Sequence, residues 1–158
     1  MSLVKNIHNW GFSLIEMLTV VILLGILGVV AIGRLGNPGV FAARGFFDET
    51  VTAVRFAQKL AISSGCDVRV ITDTSGYQLR QSSTCTADDF TNSVVNPADR
   101  SSSYQNDQIP DGFSLTSGSI TFNARGEREE STSDFDVSDG STNYSFRVHA
   151  NTGLVEVL

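Results

Sequence analysis

The feature that most constrains this chain is an apolar run, residues 12–32, in which Ser13, Glu16 and Thr19 are the only polar side chains. A bilayer is crossed by about 20 apolar residues in a helix, a length that this run reaches. A cleaved secretory signal would have a basic start, a shorter apolar core and a small-x-small site after it. Here Gly11 lies before the run, and no such site follows promptly. Residues 12–32 are therefore predicted to remain in the mature chain as a transmembrane helix.

A second, amphipathic helix is predicted after a break. The stretch GRLGNPGV (33–40) contains three glycines and a proline, which weaken a helix, so a kink or a melted turn is expected there. Residues 41–65 then show an apolar stripe at helical spacing, and Gly65 is a natural stop. The stripe consists of Ala43, Phe47, Val51, Val54, Ala57 and Ala61. The charged residues Asp48, Glu49, Arg55 and Lys59 lie largely off it.

The remainder of the chain is polar and shows the two-residue period of strands. DVRVITD (67–73) and GYQLRQ (76–81) predict a hairpin with a short Thr-Ser turn. Residues 82–108 lack periodicity and are predicted to form a long loop. FSLTSG (113–118) and SITFNARGE (119–127) follow, then an acidic loop. YSFRVHA (144–150) and LVEVL (154–158) predict a last hairpin around NTG. The predicted fold is α+β, a long N-terminal helix packed on an antiparallel sheet.

Two cysteines, Cys66 and Cys85, lie in this polar half. A metal site would need two further ligands close to the cysteines, and His149 is the only residue that could serve as one. A disulfide needs an oxidising compartment, which an exported domain reaches. The sequence favours the disulfide over two free thiols, and no metal or cofactor is predicted.

The other candidate sites favour ordinary surface roles. Arg125 and Arg128 are set among Glu127, Glu129 and Glu130, which predicts a solvated loop of mixed charge rather than a basic patch. SDFDVSDG (133–140) resembles a calcium loop only in part, because its acids break the required spacing, so an acidic surface turn is expected. After residue 11 the sequence contains one histidine, His149, and its spacing from serines, cysteines and acids suggests no arrangement of catalytic residues. The chain is predicted not to be an enzyme.

The segment GFSLIE followed by an unbroken apolar helix resembles the class III signal of type IV pilins and pseudopilins. The resemblance implies that residues 1–11 are a leader, that a prepilin peptidase cuts between Gly11 and Phe12, and that the new N-terminus at Phe12 is methylated. Glu16 then becomes the fifth mature residue and is expected to act in assembly. A helix followed by a β domain with SITFNARGE and FRVHANTGLVEV is similar to the GspH/FimT group of minor pilins and minor pseudopilins.

The resemblance implies a structural subunit that assembles through its N-terminal helix into a type IV pilus or a type II secretion pseudopilus. Residues 12–32 would anchor it in the bacterial inner membrane and later enter the fibre core. Residues 33–65 would form the kinked, then amphipathic helix, and residues 66–158 the periplasmic or extracellular β domain. Expected partners are other pilin or pseudopilin subunits, the peptidase and the inner membrane.

Two alternative functions stay open at this stage. One is a binding module at a pilus tip, an adhesin or a DNA-uptake receptor on the same scaffold. The formal net charge of −6 and a tail in which Glu156 is the only charged residue disfavour nucleic acid as a partner. The other is a membrane-tethered periplasmic domain that forms no fibre.

Overall fold

The computed structural model describes residues 13–32, 38–85, 88–131 and 133–158. The chain divides into two units, which meet in sequence between Asn37 and Pro38. The described part of the first unit is one helix. The second unit combines one helix with nine strands among its described residues.

The helix of the first unit, α1, spans Leu14–Ile32 and lies within the predicted apolar segment. Its described side chains are exposed on every side, and Glu16 is the acidic residue of its first turn. A helix that is apolar all round is stable where other apolar groups surround it. Within the described residues, no helix is at once long enough and apolar enough to cross a membrane.

The helix of the second unit, α2, spans Pro38–Ser64 and begins earlier than predicted. The expected kink over 33–40 is therefore wrong for residues 38–40, because a proline suits the first position of a helix, where its missing N–H costs nothing. Residues 33–37 lie outside the described residues. At the other end, Gly65 has a φ of 68° and its N–H donates to the carbonyl of Ala61, which confirms the predicted stop.

The predicted apolar stripe of α2 is confirmed. Its six residues are buried, and the four charged residues predicted to lie off the stripe are exposed. Phe46, Thr50 and Ala53 are buried as well. The Thr50 hydroxyl donates to the carbonyl of Phe46 at 2.8 Å, so this polar side chain enters the core with its hydrogen bond made.

The strands form two antiparallel sheets instead of one. The strands are β1 (Val68–Asp73), β2 (Gly76–Gln81), β3 (Asn92–Ser93), β4 (Gln105–Asn106), β5 (Ser114–Leu115), β6 (Gly118–Phe122), β7 (Ser133–Ser138), β8 (Asn143–Val148) and β9 (Val155–Val157). The first sheet has the order β3-β2-β1-β6, with β4 also paired to β2, and the second has the order β5-β7-β8-β9. The two predicted hairpins, β1–β2 and β8–β9, are confirmed.

Two parts of the sequence interpretation need correction. Residues 82–108 contain β3 and β4, which pair with β2, so this stretch is not simply a loop. Residues 133–138 form β7, paired on both sides, so the acidic stretch is a central strand and only its end is a turn. The first segment gains its order by pairing with β2, and the second by pairing with β5 and with the following strand β8, although the composition of neither segment is typical of a strand.

The core lies between α2 and both sheets. The Phe46 ring lies 6.1 Å from that of Tyr77 on β2, in the first sheet. The Phe47 ring lies 5.7 Å from that of Tyr144 and 6.0 Å from that of Phe146, both on β8 in the second sheet. One face of α2 therefore joins the two sheets in a single apolar cluster.

Replacing Phe47 by alanine is expected to lower the free energy of unfolding by about 3–5 kcal/mol, because this side chain is 0% exposed between the helix and β8. Phe41→Ala is the matched control on the same helix, since Phe41 is 68% exposed, and its cost should stay within about 0.5 kcal/mol. Pulse proteolysis across a urea series measures both variants. Equal losses of stability would contradict the proposed core.

Candidate functional site

Glu16 is the candidate assembly residue of α1. The N–H groups of Glu16 and Met17 both donate to the carbonyl of Ser13, which places Glu16 in the first turn, where a carboxylate interacts favourably with the helix dipole. The nearby Thr19 hydroxyl donates to the carbonyl of Glu16 at 2.8 Å and so does not reach the carboxylate. Among the described residues, that carboxylate has no hydrogen-bond or ion-pair partner.

The predicted processing residues, Gly11 and Phe12, lie outside the described residues. Cleavage between them and methylation of Phe12 remain predictions. The amine that cleavage would create at Phe12 lies outside the described residues as well.

Cys66 and Cys85 form a disulfide in the structure. Cys66 follows the glycine that ends α2 and precedes β1, whereas Cys85 lies in the segment between β2 and β3. The side chain of Gln81 donates to the Ser64 hydroxyl at 2.9 Å close to the same junction. The bond therefore fixes the start of residues 82–110, which we call the 82–110 segment, to the C-terminal end of α2.

The 82–110 segment packs onto the first sheet and α2 through aromatic side chains. The Tyr104 ring meets Phe56 of α2 edge-on at 5.1 Å and Tyr77 at 6.5 Å. The Tyr77 hydroxyl donates to Glu49 at 2.7 Å, and the Asn106 amide donates to the other oxygen of the same carboxylate at 2.9 Å. Burial, together with Glu49, raises the pKa of the Tyr77 phenol far above its ordinary value, so it remains a donor.

Most of the arginines in residues 66–158 are paired with acids. Arg69 contacts Asp88 at 2.8 Å, and Arg147 contacts Asp134 at 2.6 Å. Arg125 pairs with Glu127, and this ion pair lowers the pKa of the Glu127 carboxyl. The prediction that mixed charge cancels a basic field here is confirmed. These side chains offer a phosphate backbone little net positive charge.

Arg128 departs from the sequence interpretation, because it is buried and not part of a solvated loop. Its side chain is 3% exposed, and its Nη1 donates to the carbonyl of Val148 on β8 at 3.0 Å. Its Nε lies 3.4 Å from Glu130, whose carboxylate accepts the N–H of Thr121 on β6. The local sequence looks solvent-exposed, and no local signal marks this arginine as the one that bridges the two sheets.

The remaining candidates have structural partners. In the acidic stretch, Asp136 accepts a hydrogen bond from Ser145, and Asp139 accepts bonds from the backbone of the turn that follows β7. Asp134 is paired with Arg147. These three acids therefore stabilise the β7–β8 hairpin and do not gather around a common position where a calcium ion could bind. No cluster of metal-ligating side chains occurs among the described residues. Nε2 of His149 lies 2.9 Å from Glu156 across the last hairpin.

Comparison with known proteins places residues 48–153 in the profile of one family, described as "Type II transport protein GspH". The solved structure of the type IV minor pilin FimU of Pseudomonas aeruginosa is similar, with 12% identity, a TM-score of 0.53, and coverage of 73% of this chain and 87% of FimU. The minor pseudopilin EpsH from the type 2 secretion system of Vibrio cholerae has 17% identity, a TM-score of 0.53, and coverage of 77% and 97%. No curated protein matches the chain significantly.

The structural matches establish a shared fold. The family profile spans most of the second unit, from the middle of α2 to the turn before β9. The disulfide and the Arg128 bridge both lie within this stretch. Glu16 lies before it, so its role depends on the sequence motif around it.

Removal of the disulfide by Cys66→Ser with Cys85→Ser is expected to lower the free energy of unfolding by about 3 kcal/mol, the loop-closure value for a loop of this size. Thiol labelling of the wild-type protein, denatured but not reduced, should detect no free cysteine. Ser64→Ala is a control that leaves the disulfide in place and removes the hydroxyl that accepts from Gln81. Two labelled thiols per wild-type chain would contradict the bond.

Proposed function

Because the chain belongs to the GspH family, we propose that it is a minor pilin or minor pseudopilin, a structural subunit that assembles through its N-terminal helix into a type IV pilus or a type II secretion pseudopilus. The family match over residues 48–153 is the observation that carries the proposal. The fold shared with FimU and EpsH supports it, since those proteins are a type IV minor pilin and a minor pseudopilin. Its partners in the fibre are other pilin or pseudopilin subunits.

The subunit first resides in the inner membrane, anchored by residues 12–32, with the β domain in the periplasm. The apolar composition of this segment supports the anchor, and the disulfide supports an oxidising compartment for the β domain. During assembly the helix leaves the lipid and packs among helices of neighbouring subunits. Apolar area that would otherwise face water is then buried in the fibre at roughly 25 cal/mol per Å².

Assembly requires processing of the N-terminus. A prepilin peptidase cuts after Gly11, and methylation of the Phe12 nitrogen leaves its positive charge in place. Inside an apolar fibre core this cation and the Glu16 carboxylate are each costly when unpaired. Pairing Glu16 of one subunit with the amine of the next satisfies both charges and sets the axial register. The exposed, unpartnered carboxylate at the start of α1 supports this role.

The proposed function is structural, and no enzymatic activity is assigned to the chain. The alternative of a binding module at the pilus tip, an adhesin or a DNA-uptake receptor, is not favoured. Most arginines on the two sheets of this protein form ion pairs with acids of the same chain, and the formal net charge of the full sequence is −6. An acidic domain with paired arginines repels a nucleic acid backbone.

Mass spectrometry of the membrane-extracted protein tests the processing step. The expected mature chain starts at Phe12 and carries one methyl group on its N-terminal nitrogen. Gly11→Ala should block cleavage and leave the leader attached, because the peptidase reads the glycine. An intact Met1 in the wild-type protein, expressed with an active prepilin peptidase, would contradict the pilin pathway.

Glu16→Ala and Glu16→Gln are expected to leave membrane insertion and folding of the β domain unchanged but to reduce incorporation into fibres by about tenfold or more, since an unpaired amine remains in a low-dielectric core. Glu16→Asp keeps the charge and should be milder. The yield of the subunit in sheared fibres is measured against its level in the membrane fraction.

Thr19→Val is the matched control for the Glu16 variants. Its hydroxyl bonds the carbonyl of Glu16, one turn away on the same helix, so it changes polarity in the segment without removing a charge. Incorporation of Thr19→Val should stay near wild type. Normal incorporation of Glu16→Ala at equal membrane levels would reject the register-setting role of the carboxylate.

A further inference from the structure

The exposed face of α2 carries two adjacent cations. Arg55 and Lys59 lie four residues apart, one turn along the helix, and both are exposed. Like charges at this spacing destabilise a helix. Among the described residues, neither side chain has a carboxylate within ion-pair distance, in contrast to Arg44, Arg69, Arg125, Arg128 and Arg147. We call Arg55 and Lys59 the basic ridge.

A contact with β9 holds the Arg55 end of the basic ridge. Nη2 of Arg55 donates to the carbonyl of Val155 on β9 at 3.1 Å, which fixes the guanidinium beside the edge of the second sheet. Between the two cations, Gln58 donates to the carbonyls of Gly126 and Thr152 at 2.9 and 3.0 Å. One turn beyond Lys59, Ile62 remains 53% exposed. The ridge thus consists of an anchored guanidinium, an exposed lysine one turn away and an exposed apolar side chain beside them.

We propose that the basic ridge docks onto a carboxylate-bearing surface of the adjacent subunit in the fibre. This inference rests on the proposed function, which supplies the neighbour. Charge complementarity identifies the occupant as acidic, because the ridge concentrates unpaired positive charge in a subunit whose net charge is −6. Two acidic subunits repel each other except where such a patch faces a carboxylate. Complementary charges of this kind set partner and register.

Other cations fit this role less well. Arg80 donates to the side chains of Gln78 and Ser93, and its cross-strand neighbour Arg69 is already paired with Asp88, so Arg80 has no second unpaired cation beside it. Arg100 lies in the segment between β3 and β4 with a φ of 57° and has no second cation beside it in sequence. The ridge alone pairs two cations on one regular element of the described structure.

Lys59 also offers a direct chemical readout. It is the only lysine after Gly11, since the other lysine of the sequence is Lys5. A water-soluble carbodiimide adds to a carboxylic acid. The Lys59 amine then attacks the activated carbonyl, an amide bond forms, and the carboxyl oxygen leaves in the urea by-product. Only a carboxylate in contact with Lys59 is coupled, and the cross-linked peptide is identified by mass spectrometry.

In sheared fibres that contain the wild-type subunit, we expect a carbodiimide cross-link from Lys59 to an acidic residue of a neighbouring subunit. Lys59→Arg should abolish this cross-link and retain incorporation. Lys59→Glu should reduce incorporation by roughly tenfold, because like charges then face each other. This variant places a carboxylate one turn from Arg55, an attractive helical pair, so its unfolding free energy should not fall. Arg100→Glu, which changes the net charge equally, should incorporate normally.

The outcomes separate the two proposals. Absence of the wild-type subunit from fibres would overturn the proposed function, and this inference with it. Incorporation of the wild-type subunit together with full incorporation of Lys59→Glu would overturn only the docking role of the ridge. A Lys59 cross-link solely to a residue of its own chain would do the same. A loss shared equally by Arg100→Glu would show a general charge effect and reject the ridge as a specific contact.

Discussion

The second unit depends on the burial of one helical face against two sheets. The stripe that runs from Ala43 to Ala61 faces strands of both sheets, and the aromatic pair Phe46 and Phe47 contacts one sheet each. Each fully buried large side chain stabilises the fold by roughly 1.5–3 kcal/mol. Without α2, each sheet would expose an apolar face to water. The helix is therefore both the centre of the core and the element through which the β domain continues into the N-terminal segment.

Polar contacts and the disulfide add further links between the elements that pack around the apolar core. Arg128 joins Glu130 to β8, and the arginine is tolerated in the interior because its charge meets a carboxylate and a backbone carbonyl. Among the described residues, no buried side-chain nitrogen or oxygen lacks a partner. The disulfide and the Tyr77–Glu49 bond act in the same way at the 82–110 segment, which has little regular structure of its own. Order in this fold comes from cross-links between distant parts of the chain.

The sequence predicts the features that depend on local periodicity. The helical stripe, the stop at Gly65 and the two hairpins follow from residues close in the chain, and all are confirmed. Local patterning misses β3 and β4, which pair with β2 from within a segment that lacks periodicity, and it misses β7 because the acidic residues of this strand resemble a surface turn. Arg128 was misread for the same reason, since its acidic neighbours in sequence resemble a solvated loop. The family motif identified Glu16, a residue that periodicity alone would treat as an interruption.

The distribution of charge links the fold to assembly. Most arginines on or near the sheets form ion pairs with acids of the same chain, so their positive charge is neutralised within the folded subunit. Several charged side chains have no ion-pair partner among the described residues, and they include the carboxylate of Glu16 on an apolar helix and the cations of the basic ridge on α2. Each would be costly or mildly destabilising in an isolated subunit. Because these groups meet no opposite charge among the described residues, a neighbouring molecule could provide one, and in the proposed fibre an adjacent subunit would be that neighbour.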